Sequence, residues 1–284
     1  MDLNTTSRFY QRQFFLHQYH KALSDIHLFR NILLIICIAL VVACDGVGDS
    51  DVPLIFVAAS LSDVVVEAGD LYEAETGNRV DFSFGGSIML ANQIAELGAP
   101  ADGFFLVGDR PVLILREAGM YSDDNLMSGL VNKLVAIAPS EQEALTSLQA
   151  IVEQAPRVAL GDPNLAPVGI FTREAFESVD LWDNVSKDAI FAVDARAATA
   201  AVQSGNADYG IVYKTDAISS HAVSIVYEIE ETYPAIEYVG GKIDDASQSE
   251  AAADFLTFIA SSPKTRNLFV MAGFIFDSPG TNNP

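Results

Sequence analysis

The sequence predicts an α/β protein of two lobes, and three observations carry that expectation. Its 284 residues exceed one ordinary domain of roughly 100–200 residues. Half of them are hydrophobic and 19% are charged, enough apolar material for a real core and unlike a disordered tail or a collagen-like repeat. Short β-branched runs bounded by turn residues alternate with helical patterns, which implies βαβ units and mainly parallel sheets covered by helices on both faces.

The first segment reads as a leader. ILLIICIALVVAC, from Ile32 to Cys44, has no charged residue and follows Arg8, Arg12, Lys21 and Arg30, with only Asp2 and Asp25 opposing them. Thirteen apolar residues are too few to cross roughly 30 Å of hydrocarbon and suit a signal-peptide core. Val41-Val42-Ala43-Cys44 resembles the lipobox of bacterial lipoproteins, in which the cysteine is acylated and becomes the new N-terminus. Residues 1–44 are therefore expected to be a signal peptide with lipobox, and Cys44 the lipidation site; the alternative is a plain signal peptide whose cysteine is incidental. The stretch of about 30 residues ahead of the apolar core departs from an ordinary signal peptide. Residues 45–51, DGVGDSD, form a polar tether. Asp45 after the cysteine resembles an inner-membrane retention signal of some Gram-negative bacteria.

Strands are then expected at VPLIFVA (52–58), RVDFSF (79–84), GFFLVG (103–108), KLVAIAP (133–139), RVALGDP (157–163), AIFAVD (189–194) and YGIVY (209–213). Helical patterns follow several of them: LSDVVVEAGDLYEAETG, IMLANQIAEL, a stretch after residue 108, and ARAATAAVQSG between the last two. APSEQEALTSLQAIVEQ reads as surface helix and loop against its own lobe rather than as a helix for a partner. Lobe 1 is expected to hold residues 52–131 and 235–284, and lobe 2 residues 132–234, with two chain crossings as a hinge.

Charge and residue counts exclude several function classes. Four of the 16 basic and two of the 38 acidic residues lie in the leader, leaving 12 against 36, a net charge of −24. Such a surface repels phosphate backbones and anionic lipid headgroups, so no nucleic-acid partner is expected, and membrane association only through the lipid. The two cysteines, Cys37 and Cys44, precede the folded part, which excludes an internal disulfide or a thiolate metal centre. His17, His20 and His27 also lie in the leader, so only His221 could serve as a catalytic base and no histidine-cluster cation site is possible.

Four places share one local device, in which a strand ends and small residues with free N–H groups open a helix. They are Ala58-Ala59-Ser60-Leu61, Gly85-Gly86-Ser87-Ile88, Ala166-Pro167-Val168-Gly169-Ile170 and Asp194-Ala195-Arg196. Ser60 and Asp63 have the spacing of a capping box, and Gly85 and Gly86 permit close backbone approach. Taken singly each is an ordinary helix cap. Converging on one cleft, their unsatisfied donors and partial positive charges would make an anion site without any cation.

In wording and order these segments resemble the molybdate-binding protein family (ModA) of bacterial ABC importers. The matching text is VPLIFVAASLSDVVVEAGDLYEAETGNRVDFSFGGS, QIAELGAPADGFFLVGD, RVALGDPNLAPVGIFTREAF, DARAATAAVQSGNADYGIVYKTDA and FLTFIASSPKTRNLFVMAGFIF, nearly all of residues 52–276. The resemblance implies a two-lobed periplasmic-binding-protein fold of class II with the ligand cleft between lobes. It places oxyanion contacts on the hydroxyl and N–H of Ser60 and Ser87, the amides of Val168 and Ala195, and the hydroxyl of Tyr213. Gly85-Gly86-Ser87 stands where the family usually shows Ala-Ser-Ser, and Ala195 where a valine is common.

Hence the expected function is high-affinity capture of molybdate, with tungstate competing, by a monomeric lipoprotein in the periplasm or at the cell surface that delivers it to an ABC permease and its ATPase. No cofactor is expected, and molybdenum enters only as bound molybdate. Micromolar to nanomolar binding needs roughly 8–12 kcal/mol, and a hydrogen bond to a charged partner nets roughly 1.5–3 kcal/mol, so five to seven neutral donors suffice. A donors-only site favours a fully deprotonated anion such as molybdate, tungstate or sulfate over hydrogen phosphate, which gains from an acceptor.

Other residues are weighed against it. Asp102 and Asp162 could be acid–base carboxylates but read better as a cap and a turn former. Arg196 could steer the anion but reads as a structural partner of a carboxylate. Trp182 reads as packing a helix end. The rival functions are binding of another tetrahedral oxyanion such as sulfate, a sensory or adhesion domain of the same fold, and a secreted serine hydrolase using Ser60 or Ser87. Neither serine sits in a G-x-S-x-G elbow.

Overall fold

The computed structural model describes residues 51–122, 127–140 and 142–276; the segment expected to be a signal peptide, Cys44 and the expected tether up to Ser50 lie outside the described residues. Two sheets carry the fold. The first has the order β11-β4-β10-β3-β1-β2 and the second β7-β6-β8-β5-β9. In the first, β1 (Leu54–Ala58), β2 (Asp81–Gly85) and β3 (Gly103–Val107) run parallel, while β10 (Ile236–Lys242), β4 (Met127–Asn132) and β11 (Ile275–Phe276) complete it antiparallel. In the second, β6 (Val158–Gly161), β7 (Ile190–Ala192) and β8 (Tyr209–Tyr213) are parallel, and β5 (Leu134–Pro139) and β9 (Val223–Glu228) are antiparallel to their neighbours.

Both sheets are thus mixed, where the sequence suggests mainly parallel ones. Strands that enter and leave a sheet at a crossing carry no helical crossover, and without one the pairing is free to run antiparallel. The chain passes from β4 to β5 through the single residue Lys133 and returns through residues 229–235.

Helices follow the parallel strands. A one-turn 3-10 segment at Ala59–Leu61 leads into α1 (Ser62–Thr76), then come α2 (Ser87–Ala95) and α3 (Asp109–Glu117). The second sheet carries α4 (Leu148–Gln154), α5 (Pro167–Glu177), α6 (Trp182–Ser186), α7 (Ala195–Gln203) and α8 (Lys214–Ile218), and α9 (Ser249–Ser261) and α10 (Pro263–Met271) close the first. Helix α1 stops at Gly77, whose φ of 77° only glycine adopts freely, with its N–H donating to Glu73 O. Among the described residues of APSEQEALTSLQAIVEQ (138–154), only Leu148–Gln154, α4, is helical; Ser147 caps it, its hydroxyl accepting the Ala150 N–H at 3.2 Å.

The strands that run between helices on both faces are almost continuously apolar, as burial on two sides demands: every residue of β3 and β8 is buried. Tyr72, Phe255 and Phe258 pack edge to face beneath the first sheet. The consequence for function lies in register. Ala58 pairs with Gly85 and Gly161 with Ala192, so the carboxyl ends of the parallel strands, and the helix starts after them, gather at one end of each sheet. In open α/β sheets that end is where ligands bind.

Candidate functional site

One hollow is lined by Ala58, Ala59, Ser60, Gly85, Gly86, Ser87, Val107, Ala166, Pro167, Val168, Asp194, Ala195 and Tyr213, and holds about 200 Å³ of empty space, its mouth included. Ser60, Ser87, Val168, Ala195 and Tyr213, named from the sequence, therefore all face the same space, drawn from both sheets. The protein closes on it. The Met89 N–H at the start of α2 donates to Leu165 O of the opposite side at 3.1 Å, and Gly86 lies against Leu165 O and Val193 O.

Each position presents a donor for a local reason. Ser87, Val168 and Ala195 stand in the first turns of α2, α5 and α7, where an amide has no carbonyl four residues back to bond. Pro167 at the first position of α5 has no N–H to lose and sets φ for the helix. Asp194 caps α7 by accepting the Ala197 N–H at 2.8 Å, which occupies the one carboxylate at the hollow's edge.

Both serine hydroxyls are held by hydrogen bonds within the protein. Ser87 Oγ accepts the Val107 N–H at 3.1 Å, leaving its proton free for the hollow. Ser60 does not form the capping box with Asp63 that its spacing suggests: α1 has no side-chain cap, and Ser60 Oγ lies instead 2.9 Å from Tyr238 Oη. The 3-10 turn sets Ser60 two residues ahead of the helix and aims its side chain at β10. Asp63 bonds Arg196 across the hollow.

Tyr213 ends β8 with its ring 2% exposed, and its hydroxyl has no hydrogen-bond partner. Burial, with Tyr238 and Asp216 adding repulsion, pushes its pKa well above the ordinary phenol value, so it keeps its proton. A buried hydroxyl without an acceptor is rare in a folded protein and points to one supplied from outside.

No lysine or arginine lines the hollow. Arg196 is close but engaged, with Nη2 at 2.7 Å from Asp63 Oδ2 and Nε at 2.9 Å from Asp216 Oδ1. The second contact is ionic and lacks hydrogen-bond geometry, since neither atom is a satisfied partner. Burial pushes the Asp216 carboxyl up to about 7, the Arg196 guanidinium opposing and Asp194 reinforcing the rise. Lys133 and Lys214 pair with Glu228, and Lys133 also with Glu231. Among the described residues no group of three His, Cys, Asp or Glu is placed to hold a metal ion.

The remaining residues have structural places. Asp102 accepts the Leu54 and Gln248 N–H groups at 2.8 and 2.9 Å, and Asp162 accepts from the Asn164 N–H at 2.8 Å in a turn. Trp182 opens α6 beside Phe191 and Arg173. His221 is exposed in the turn before β9 and does not line the hollow, which removes the base a serine hydrolase would need. Sequence reasoning missed Asn132, Tyr238 and Asp216. Their signal was weak, because a tyrosine alternating with apolar residues in IEYVGGK reads as plain core.

Comparison with known proteins agrees with this architecture. Residues 53–275 match the model of the bacterial extracellular solute-binding protein family. A molybdate-binding protein ModA of Haemophilus influenzae is 31% identical over 79% of this chain and 89% of its own. YvgL of Bacillus subtilis, named as an ABC transporter substrate-binding lipoprotein, is 29% identical over 76% of this chain and 84% of its own. The periplasmic molybdate-binding protein of Azotobacter vinelandii superposes with a TM-score of 0.71 over 80% of this chain and all of its own, at 19% identity, a likeness of fold. By family match and by identity, the chain belongs to the bacterial extracellular solute-binding proteins, which bind solutes and are not enzymes, and within them to the ModA group.

Proposed function

We propose that this protein binds molybdate, and tungstate with it, outside the cytoplasm and delivers the anion to an ABC permease. The observation that carries the reading is the buried, unpartnered hydroxyl of Tyr213, facing a space that also receives two serine residues and three helix starts. Apart from Asp194, whose carboxylate caps α7, the polar side chains lining it can donate, and none is cationic. The names of the ModA relatives supply the identity of the anion.

Ser60 and Ser87 would bind through hydroxyl and amide, Val168 and Ala195 through their amides, and Tyr213 through its hydroxyl. Residues 52–131 with 235–284 and residues 132–234 would act as the two lobes, opening about the crossings at Lys133 and 229–235 to admit and release the anion. Neutral dipoles hold a dianion without the residual charge that would oppose release. Cys44 would carry the lipid anchor, in keeping with the lipoprotein name of the Bacillus relative.

Titration calorimetry with molybdate, tungstate, sulfate and phosphate at low and high salt tests the reading. Tight binding of molybdate and tungstate, weak dependence on salt and no response to phosphate are expected. Absence of binding, or a steep loss of affinity with salt, would refute it. Labelling of cells with radioactive palmitate, compared with Cys44→Ala, tests the anchor.

A further inference from the structure

Ser60 Oγ is the near end of a buried line of hydrogen bonds that begins where the chain first crosses between the sheets. The Lys133 N–H donates to Asn132 Oδ1 at 2.9 Å, which fixes the orientation of the Asn132 amide. Its Nδ2 then donates to Tyr238 Oη at 3.1 Å and to Thr215 Oγ1 at 2.9 Å. An amide nitrogen cannot accept, so the Tyr238 proton has one acceptor left, Ser60 Oγ at 2.9 Å. Were Ser60 to donate to Tyr238 instead, the phenol proton would be buried without a partner, which is costly. Direction runs from Asn132 through Tyr238 to Ser60, and the Ser60 proton is left for the hollow.

We infer that Asn132 is a positioning residue that sets the direction of the Ser60 hydroxyl and thereby restricts the hollow to fully deprotonated oxyanions. This rests on the oxyanion reading above and names what enforces its selectivity. Asn132 touches no ligand. It acts by denying Tyr238 any acceptor other than Ser60, so that the Ser60 proton faces the hollow and a protonated anion meets a donor at that point of the wall. Burial, which raises the Tyr238 pKa, keeps the phenol protonated and the line intact.

Asn132→Asp reverses the line. An ionised carboxylate accepts the Tyr238 proton, Tyr238 Oη accepts from Ser60, and Ser60 turns a lone pair toward the hollow. At mildly alkaline pH the variant should lose about tenfold or more in molybdate affinity while its preference for hydrogen phosphate relative to molybdate rises. A new carboxylate also repels a dianion through space, and adding Tyr238→Phe separates the two causes. Without the phenol oxygen nothing can turn Ser60 around, so the double variant should regain most of the lost affinity; a loss that persists in the double variant overturns the inference. Neutron diffraction from wild-type crystals in heavy water needs neither variant to fold. A deuteron on Tyr238 directed at Ser60 supports the inference, and one on Ser60 directed at Tyr238 overturns it. Failure of the wild type to bind molybdate, tungstate or sulfate would instead strike the functional reading, and the neutron result would still decide the direction.

Discussion

Arg196, in the first turn of α7, reaches over the hollow to donate to Asp63 of α1, Nη2 to Oδ2, at 2.7 Å. The guanidinium is backed by buried Asp216 on its own side and meets a 64% exposed carboxylate on the other. With the Met89 N–H on Leu165 O, it is a polar tie between the halves that must open to admit a ligand.

Asp63→Asn should therefore loosen the closed form slightly. An ion pair this exposed is worth about 0.2–1 kcal/mol, so affinity should fall by no more than about fivefold. The change should lie in the dissociation rate and should shrink at high salt. Stopped-flow displacement of molybdate by excess tungstate at two salt concentrations measures both; an unchanged dissociation rate at low salt would show that the pair does not hold the closed form.

Removal of a hydroxyl from the hollow should cost more. Ser87→Ala and Tyr213→Phe each delete one donor to a desolvated dianion, and each should weaken molybdate binding by about tenfold or more. Tyr213→Phe should also leave the fold at least as stable as before, because its hydroxyl satisfies no partner in the protein. Calorimetric titration and thermal unfolding of the two variants check this. Full affinity in both would remove these residues from the site.

Much of this was legible in the sequence, and the parts that were not share a cause. Alternating strands and helices gave the parallel halves of both sheets, because βαβ units repeat a local pattern. The antiparallel strands β4, β9 and β10 went unread: MSGLVN and IEYVGGK carry glycines and a register shift between Tyr238 and Gly240, and only pairing with distant partners makes them strands. The five residues named for the site line one hollow because each follows a strand end, a place that short motifs mark well. Asn132 and Tyr238 stand 106 positions apart and Tyr238 and Ser60 178, so these side chains, like Asp216 beside Arg196, meet only in the fold. Ser60 and Asp63 show the reverse error, since a capping-box spacing is local and the tertiary partners Tyr238 and Arg196 outcompete it.

Asp216 should give the protein a pH-dependent stability. Its carboxyl titrates at about 7 in the folded state and near the ordinary carboxylate value of about 4 when unfolded. Between those values the folded protein holds a proton that the unfolded chain has released, so this contribution is complete below about pH 4 and is lost as pH rises through 7. Asp216→Asn should flatten that decline. Urea unfolding of wild type and variant at mildly acidic and mildly alkaline pH measures it; equal slopes in the two proteins would show that Asp216 is ionised throughout.

Gly86 sets how far the halves can close. A Cβ there would lie 2.6 Å from Val193 O and 2.7 Å from Leu165 O, backbone atoms on the opposite side that cannot step aside singly. This is a physical reason for the glycine in a stretch where the resembling family usually carries a serine. At neighbouring Gly85 a Cβ would meet only the Met89 and Leu90 side chains, the nearest being the mobile Met89 methyl at 2.8 Å. Overpacking of this kind costs about 1–3 kcal/mol, so Gly86→Ala should lower molybdate affinity by roughly five- to a hundredfold, while Gly85→Ala should change it much less. Because the clash exists only when the halves meet, the ligand-free Gly86→Ala protein should unfold near the wild-type temperature and stay more expanded in small-angle X-ray scattering when molybdate is added. A variant that contracts with ligand as the wild type does would show that contact at residue 86 does not limit closure.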